Sequence, residues 1–104
     1  MIYPENATQL TAVGNTAWIK TLQNTNHTIM VKVANINTNV VVRVEGTING
    51  TDAFNMSDLN SDTTITANGN YAFMMSGAIQ AIRLNFVSET GGSAATLDVS
   101  YYGV

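Results

Sequence analysis

One histidine, seven carboxylates and eight aromatic residues are what this chain of 104 residues offers to chemistry, and it contains no cysteine. A hydrolytic dyad or triad needs a nucleophile and an orienting group arranged around a base. His27 is the one imidazole; it stands in "TNHT", just ahead of an alternating segment, and no spacing assigns it partners. It reads as a loop histidine. Glycoside hydrolysis needs two carboxyl groups across a cleft, one with a raised pKa. Glu45, Asp52, Asp58, Asp62, Glu89 and Asp98 fall mostly in turns or on strand faces expected to be wet. The segment "DLNSD", Asp58 to Asp62, starts like an EF-hand loop. Thr63 then stands where that loop needs glycine, and Gly69 where it needs a bidentate glutamate. An irregular calcium site from Asp52, Asp58 and Asp62 is the residual metal reading. Without thiols, no Cys-ligated metal or disulfide is possible. The expectation is no catalytic residue, no cofactor and no metal, hence not an enzyme.

Aromatic rings can stack on sugars. Trp18, Phe54, Tyr71, Phe73, Phe86, Tyr101 and Tyr102 are the candidates. Phe73, Phe86 and Tyr101 have the parity of core residues, which is the default for an aromatic. Trp18, in "TAWIK", suits either core or surface, and Tyr102 is the better surface ring. Four Asn-x-Ser/Thr triplets begin at Asn6, Asn26, Asn49 and Asn55. In a chain with 13 Asn and 14 Thr, chance accounts for them.

The elements that must position these residues are strands. Period-2 alternation puts Ile29, Val31 and Val33 on one face, and Val40, Val42 and Val44 on another. Ile82, Leu84 and Phe86 alternate likewise, as do Ala95, Leu97, Val99 and Tyr101. "TTITA" and "YAFMM" are further strands. Thr8–Leu22 reads as two short strands about a turn at Gly14-Asn15. Other turns are expected at Asn49-Gly50, Asn68-Gly69 and Gly91-Gly92, where glycine accepts positive φ. Six to eight short strands with evenly spaced turns predict an all-β, single antiparallel β-sandwich, jelly-roll or immunoglobulin-like. Residues 1–7, which carry the sole proline, read as an extended N-terminal arm of that one domain. Such an arm can add a strand to a neighbour's sheet edge.

The same parity turns Lys32, Arg43, Arg83, Glu45 and Asp98 outward. If their strands share a sheet, they form a mixed-charge face, on which Met30, Val41 and Tyr102 would offer apolar contacts. The charged fraction is only 11% and the net charge −3. Four dispersed cations cannot track a phosphate backbone, which argues against nucleic-acid binding. The first residues lack a basic and apolar leader pattern, so export by a signal peptide is not expected. The longest apolar run, Ala72 to Met75, is four residues, against about 20 for a membrane-spanning helix.

From Val40 onward, "VVVRVEGTINGTDAFNMS", "TITANGNYAFMMSG" and "AIRLNFVSETGGSAATLDVSYYGV" form a connected pattern. It resembles small β-sandwich structural proteins of tailed bacteriophages, above all capsid decoration (cement) proteins. In these, a strand ending V-E-G-[ST] leads into a hairpin with an aromatic just after it. A strand with an "IR" pair and a Gly-rich turn follow, and the last strand ends in an aromatic and Gly. Phe54, preceded by Ala53, stands where a Trp would be expected. The resemblance implies a virion protein made in the host cytoplasm and bound to the outer capsid surface. Its implied partners are the major capsid protein and copies of itself, as a homotrimer. Contact residues would include Ile2, Tyr3, Met30, Val41, Asn49, Asp52, Phe54 and Tyr102. A tail, neck or head-fibre module, and a carbohydrate-binding module for host attachment, are the alternatives.

Overall fold

β-Branched and aromatic residues recurring at every second position can bury one face of a strand and leave the other polar, and two such sheets close on each other. The computed structural model describes residues 3–56 and 62–104, with side chains from residue 8 onward. Ten strands are present among the described residues. They are β1 (Tyr3–Leu10), β2 (Gly14–Asn15), β3 (Ile19–Lys20), β4 (Asn26–Ala34) and β5 (Asn39–Thr47), then β6 (Phe54–Asn55), β7 (Thr63–Ile65), β8 (Gly69–Ser76), β9 (Ala81–Thr90) and β10 (Thr96–Gly103). All pair antiparallel, in two sheets. Sheet A has the order β1-β10-β4-β8. Sheet B is built on β9 and β5, with β2 and β3 along the outer side of β9, and β6 and β7 along that of β5.

The all-β sandwich predicted from alternation is the observed fold. Ile29, Val31 and Val33 of β4 and Leu97, Val99 and Tyr101 of β10 form the inner face of sheet A. Val40, Val42 and Val44 of β5, with Ile82, Leu84 and Phe86 of β9, face them from sheet B. These residues form a single buried cluster, each burying a side chain worth roughly 1.5–3 kcal/mol in transfer terms.

The strand count exceeds the six to eight expected because short pieces decorate the edges of sheet B. Gly14-Asn15, expected as a turn, is strand β2, lying against Phe86 and Asn85 of β9. Thr16 continues this course: its N–H donates to the Leu84 carbonyl at 3.0 Å, and its buried hydroxyl accepts from the Leu84 N–H at 3.2 Å. Asn68-Gly69 does not close a hairpin either. β7 belongs to sheet B and β8 to sheet A, so the chain crosses between sheets there, held by Asn68 Oδ1 accepting from the Ile36 N–H at 2.9 Å. Gly91, at φ +87, serves the crossover from β9 to β10, where Thr38 leaves no space for a Cβ. Of the segment read as an N-terminal arm, the described part from Tyr3 lies in β1 and pairs with this chain's own β10.

Candidate functional site

The outer faces of the two sheets separate residues that strand parity grouped together. Lys32 and Asp98 are register partners on sheet A. Arg43, Glu45 and Arg83 lie on sheet B. The single mixed-charge face therefore does not exist. Glu45 is not on a wet face: it is buried, because Arg83, Arg43 and Asn85 close over it. Arg83 stands directly across the β5–β9 ladder and donates from Nε to Glu45 Oε1 at 2.8 Å. Asn85 Nδ2 and an Arg43 terminal nitrogen reach Oε2 at 3.3 and 3.4 Å. The Arg83 guanidinium also lies over the Trp18 ring, 4.2 Å from its centroid. A cation held between a carboxylate and a π face is stabilised from both sides.

Arg43 carries the network outward to Asp62 in a two-pronged contact, with Nε–Oδ1 at 2.6 Å and a terminal nitrogen to Oδ2 at 3.0 Å. The hydrogen bond from Arg43 holds the Asp62 carboxyl below its ordinary pKa of 3.8 and raises that of Arg43. Side-chain exposures of 33% and 26% leave the pair open to solvent screening, so it is worth about 1 kcal/mol or less. A depressed carboxyl pKa stabilises the fold above the unfolded value, and that stabilisation is lost as pH falls through the folded value. The Asp62→Asn variant is therefore expected to be slightly less stable than the parent at pH 7 and to match it near pH 2. Urea unfolding at the two pH values measures this. An undiminished deficit at pH 2 would assign the loss to packing instead of charge.

Of Asp52, Asp58 and Asp62, read as a calcium set, the two described residues have other partners. Asp62 is committed to Arg43, Asp52 Oδ2 accepts from Asn49 Nδ2 at 2.9 Å, and Asp58 lies outside the described residues. No cluster of three metal-ligating side chains occurs among the described residues.

His27 is a strand residue, not the loop residue expected. It belongs to β4 and is 2% exposed. Nε2 lies 2.9 Å from the Gly77 carbonyl, which can only accept, so Nε2 carries the proton. Nδ1 then accepts from the Tyr101 hydroxyl at 2.7 Å. Both nitrogens are used to tie β4, β10 and the end of β8 together. Gly103, opposite His27 in the ladder, leaves the space in which the Tyr101 hydroxyl sits. The sequence signal was available: His27 continues the inward parity of Ile29, Val31 and Val33.

The corner after β5 is held by its own polar side chains. Thr47 Oγ1 accepts from the Gly50 N–H at 3.1 Å, and Asn49 Oδ1 accepts from the N–H groups of Thr51 and Asp52 at 2.9 and 2.8 Å. This is turn chemistry of the Asx kind. Asn49 and Asp52, offered as contacts, spend these side-chain atoms inside the turn. Phe54, exposed, packs its ring edge over Gly46. Val41 is half-buried on sheet B, away from Met30 and Tyr102. Tyr3 is in β1, and Ile2 lies outside the described residues.

What the structure does bring together is an apolar surface on sheet A. Tyr102 and Met74 both pair with Thr28, from opposite sides, and Met30 sits two residues further along β4. Diagonal neighbours at this spacing are about 7–8 Å apart, within reach of long side chains. All three are exposed, Met74 at 77%. Sequence reasoning missed Met74, although it lies inside "YAFMM".

Beyond the β4 start, a groove of about 850 Å³ is lined by Trp18, Lys20, Leu22, Asn24, Ile48 and Gln80. Leu22 and Gln23 on its rim both have left-handed backbones, at φ 53 and 66. Such conformations cost of order 1 kcal/mol each for residues with a Cβ. They are held by Thr21, whose buried hydroxyl donates to the Ile79 carbonyl at 2.6 Å, and by the Asn24 N–H donating to the Thr21 carbonyl at 2.9 Å.

No family model and no curated protein matches this chain. Solved structures do. The prophage-derived protein YomS of SPBc2 superposes with a TM-score of 0.56 at 14% identity, over 99% of this chain and 90% of that one. That likeness shows a shared fold with a phage-encoded protein. A xylan-binding module, CBM86, from Roseburia intestinalis gives 0.46 at 15% identity, over 100% and 93% of the two chains. A chain of infectious bursal disease virus gives 0.47 at 12% identity, over 98% of this chain and 31% of that one.

Proposed function

We propose that this chain is a structural protein of a bacteriophage virion that binds the outer surface of the head as a decoration protein. The observation that carries this reading is the outer face of sheet A, where Met30, Met74 and Tyr102 stand exposed on three adjacent strands. A wet sheet face is ordinarily polar, and grouped exposed apolar side chains mark a surface that meets another protein. The sequence pattern from Val40 onward supports the phage assignment, and the fold shared with a prophage protein is compatible with it. The partner in this reading is the major capsid protein.

A second reading is favoured by the groove. Trp18 lines it beside the amides of Asn24 and Gln80, a combination suited to stacking and hydrogen bonding with a sugar, as in host-surface attachment.

One experiment separates them. The purified chain is added to phage shells that lack it and to host polysaccharide, and bound copies are located by cryo-electron microscopy. Decoration predicts binding to the outside of the shell, weakened at least about tenfold by Met30→Lys with Tyr102→Ala and unchanged by Trp18→Ala. Polysaccharide binding abolished by Trp18→Ala, with no shell binding, would replace the first reading by the second. A chain found only inside the head would overturn both.

A further inference from the structure

A sheet edge left long, flat and apolar is a template for another strand, and folded proteins protect such edges with proline, bulges, charge or shortness. The edges here are treated unequally. β1 contains Pro4, which has no N–H, and its pairing slips between Glu5 and Thr8. On sheet B the outer strands β2, β3 and β6 have two residues each and β7 has three. β8 has none of these devices. It runs eight residues, "GNYAFMMS", without proline or charge, and pairs with β4 in unbroken register from Asn26↔Ser76 to Val33↔Gly69. No described strand pairs with its other side. Its inward residues Tyr71, Phe73 and Met75 are only half-buried, whereas inward residues of β4 and β10 are fully enclosed.

We propose that β8 is the edge through which two copies of this chain pair antiparallel, Phe73 opposite Phe73 of the second copy, joining two four-stranded sheets into one continuous sheet. Three arguments select a second copy as the occupant. The strand is uncharged, so it meets no like-charge repulsion with itself. The two-fold register about Phe73 is self-complementary. It sets Tyr71 opposite Met75 on the core side, and on the outer side Ala72 opposite Met74 and Asn70 opposite Ser76. Centring the pair on Ala72 instead would place Asn70 against Met74. Finally, a head-to-tail ring of the kind a trimer needs would dock β8 on another edge, where it would meet Pro4 and the slipped register of β1 or strands of two or three residues. The pairing is isologous, as most homodimers are.

Eight residues make a seam about 26 Å long. So narrow a seam buries less than the roughly 1,200 Å² of a stable interface, so the pair is weak in free solution. It extends the apolar face of sheet A across both copies, but it does not depend on what that face binds.

Sedimentation velocity from about 5 to 500 µM tests this. The expected result is a monomer converting to a dimer as concentration rises, with no trimer. Ala72→Lys with Met74→Lys sets lysines opposite each other across the seam and is expected to weaken association at least about tenfold. Both positions are exposed, so the thermal midpoint should hardly move. Met30→Lys, off the edge, should leave association unchanged. In a chain with no cysteine, mixing Ala72→Cys with Met74→Cys chains should give a disulfide-linked mixed dimer under oxidation, and neither chain alone should. A monomer throughout, a trimer, or association indifferent to the paired lysines would each overturn the proposal. Failure of shell binding would leave it standing.

Discussion

Glu45→Ala is expected to destabilise the fold by about 2–3 kcal/mol, lowering the thermal midpoint by on the order of 10–20 °C. Breaking a buried ion pair from one side costs roughly 3–5 kcal/mol, because the partner charge stays desolvated. The lower figure applies here because Arg83 and Arg43 keep side-chain exposures of 21% and 33%, so water recovers part of the loss. Arg43 also retains Asp62, whereas Arg83 keeps only the Trp18 face among the contacts described for its charge. Glu45→Gln keeps the shape and an acceptor oxygen, and should cost about half as much. Denaturant unfolding of the two variants measures the effect. A loss below about 0.5 kcal/mol for Glu45→Ala would mean that the carboxylate behaves as an ordinary solvated surface charge.

Gly103→Ala should cost about 2–3 kcal/mol by overpacking. The added Cβ would collide with the Tyr101 hydroxyl and with Asn24 Nδ2, which approaches its position to 2.7 Å. Neither neighbour yields easily. Tyr101 is 2% exposed with its ring in the core and its hydroxyl on His27, and Asn24 is 6% exposed. Moving the hydroxyl leaves His27 Nδ1 without its donor, a buried loss of roughly 1–3 kcal/mol. Tyr101→Phe removes both the donor and part of the collision. In a double-mutant cycle its cost should therefore be smaller in the Gly103→Ala background than in the parent. Strict additivity would show that the glycine and the His27–Tyr101 pair are not coupled.

The turn dipeptides show why punctuation alone misleads. Asn49-Gly50 forms the corner its chemistry suggests, because Thr47 and Asn49 supply the acceptors locally. Gly14-Asn15 and Asn68-Gly69 carry similar residues, yet one pairs along β9 and the other leads from one sheet to the next. Glycine licenses a backbone angle, and tertiary pairing decides what the angle is used for.

Which face of each central strand packs inward followed from the sequence alone. A side-chain period of two forces alternate residues of one strand to opposite faces, so Ile29, Val42, Leu84 and Val99 had to be buried together once they were strands. The turn chemistry of Thr47–Asp52 was equally local. Sheet assignment was not, because parity labels a face as inner or outer and is silent on which sheet carries it. Only the tertiary structure separated Lys32 and Asp98 from Arg43, Glu45 and Arg83. Only it buried Glu45 under Arg83 and Asn85, brought Trp18 over the guanidinium, and gathered Met30, Met74 and Tyr102 into one patch. Glu45's partners Arg83 and Asn85 lie 38 and 40 positions away in the chain, and the patch residues come from three different strands, where no short-range pattern reaches. The edge of β8, unpaired among the described strands, belongs to the same class: a strand is recognisable by its own alternation, but an edge exists only once every other strand has found its place.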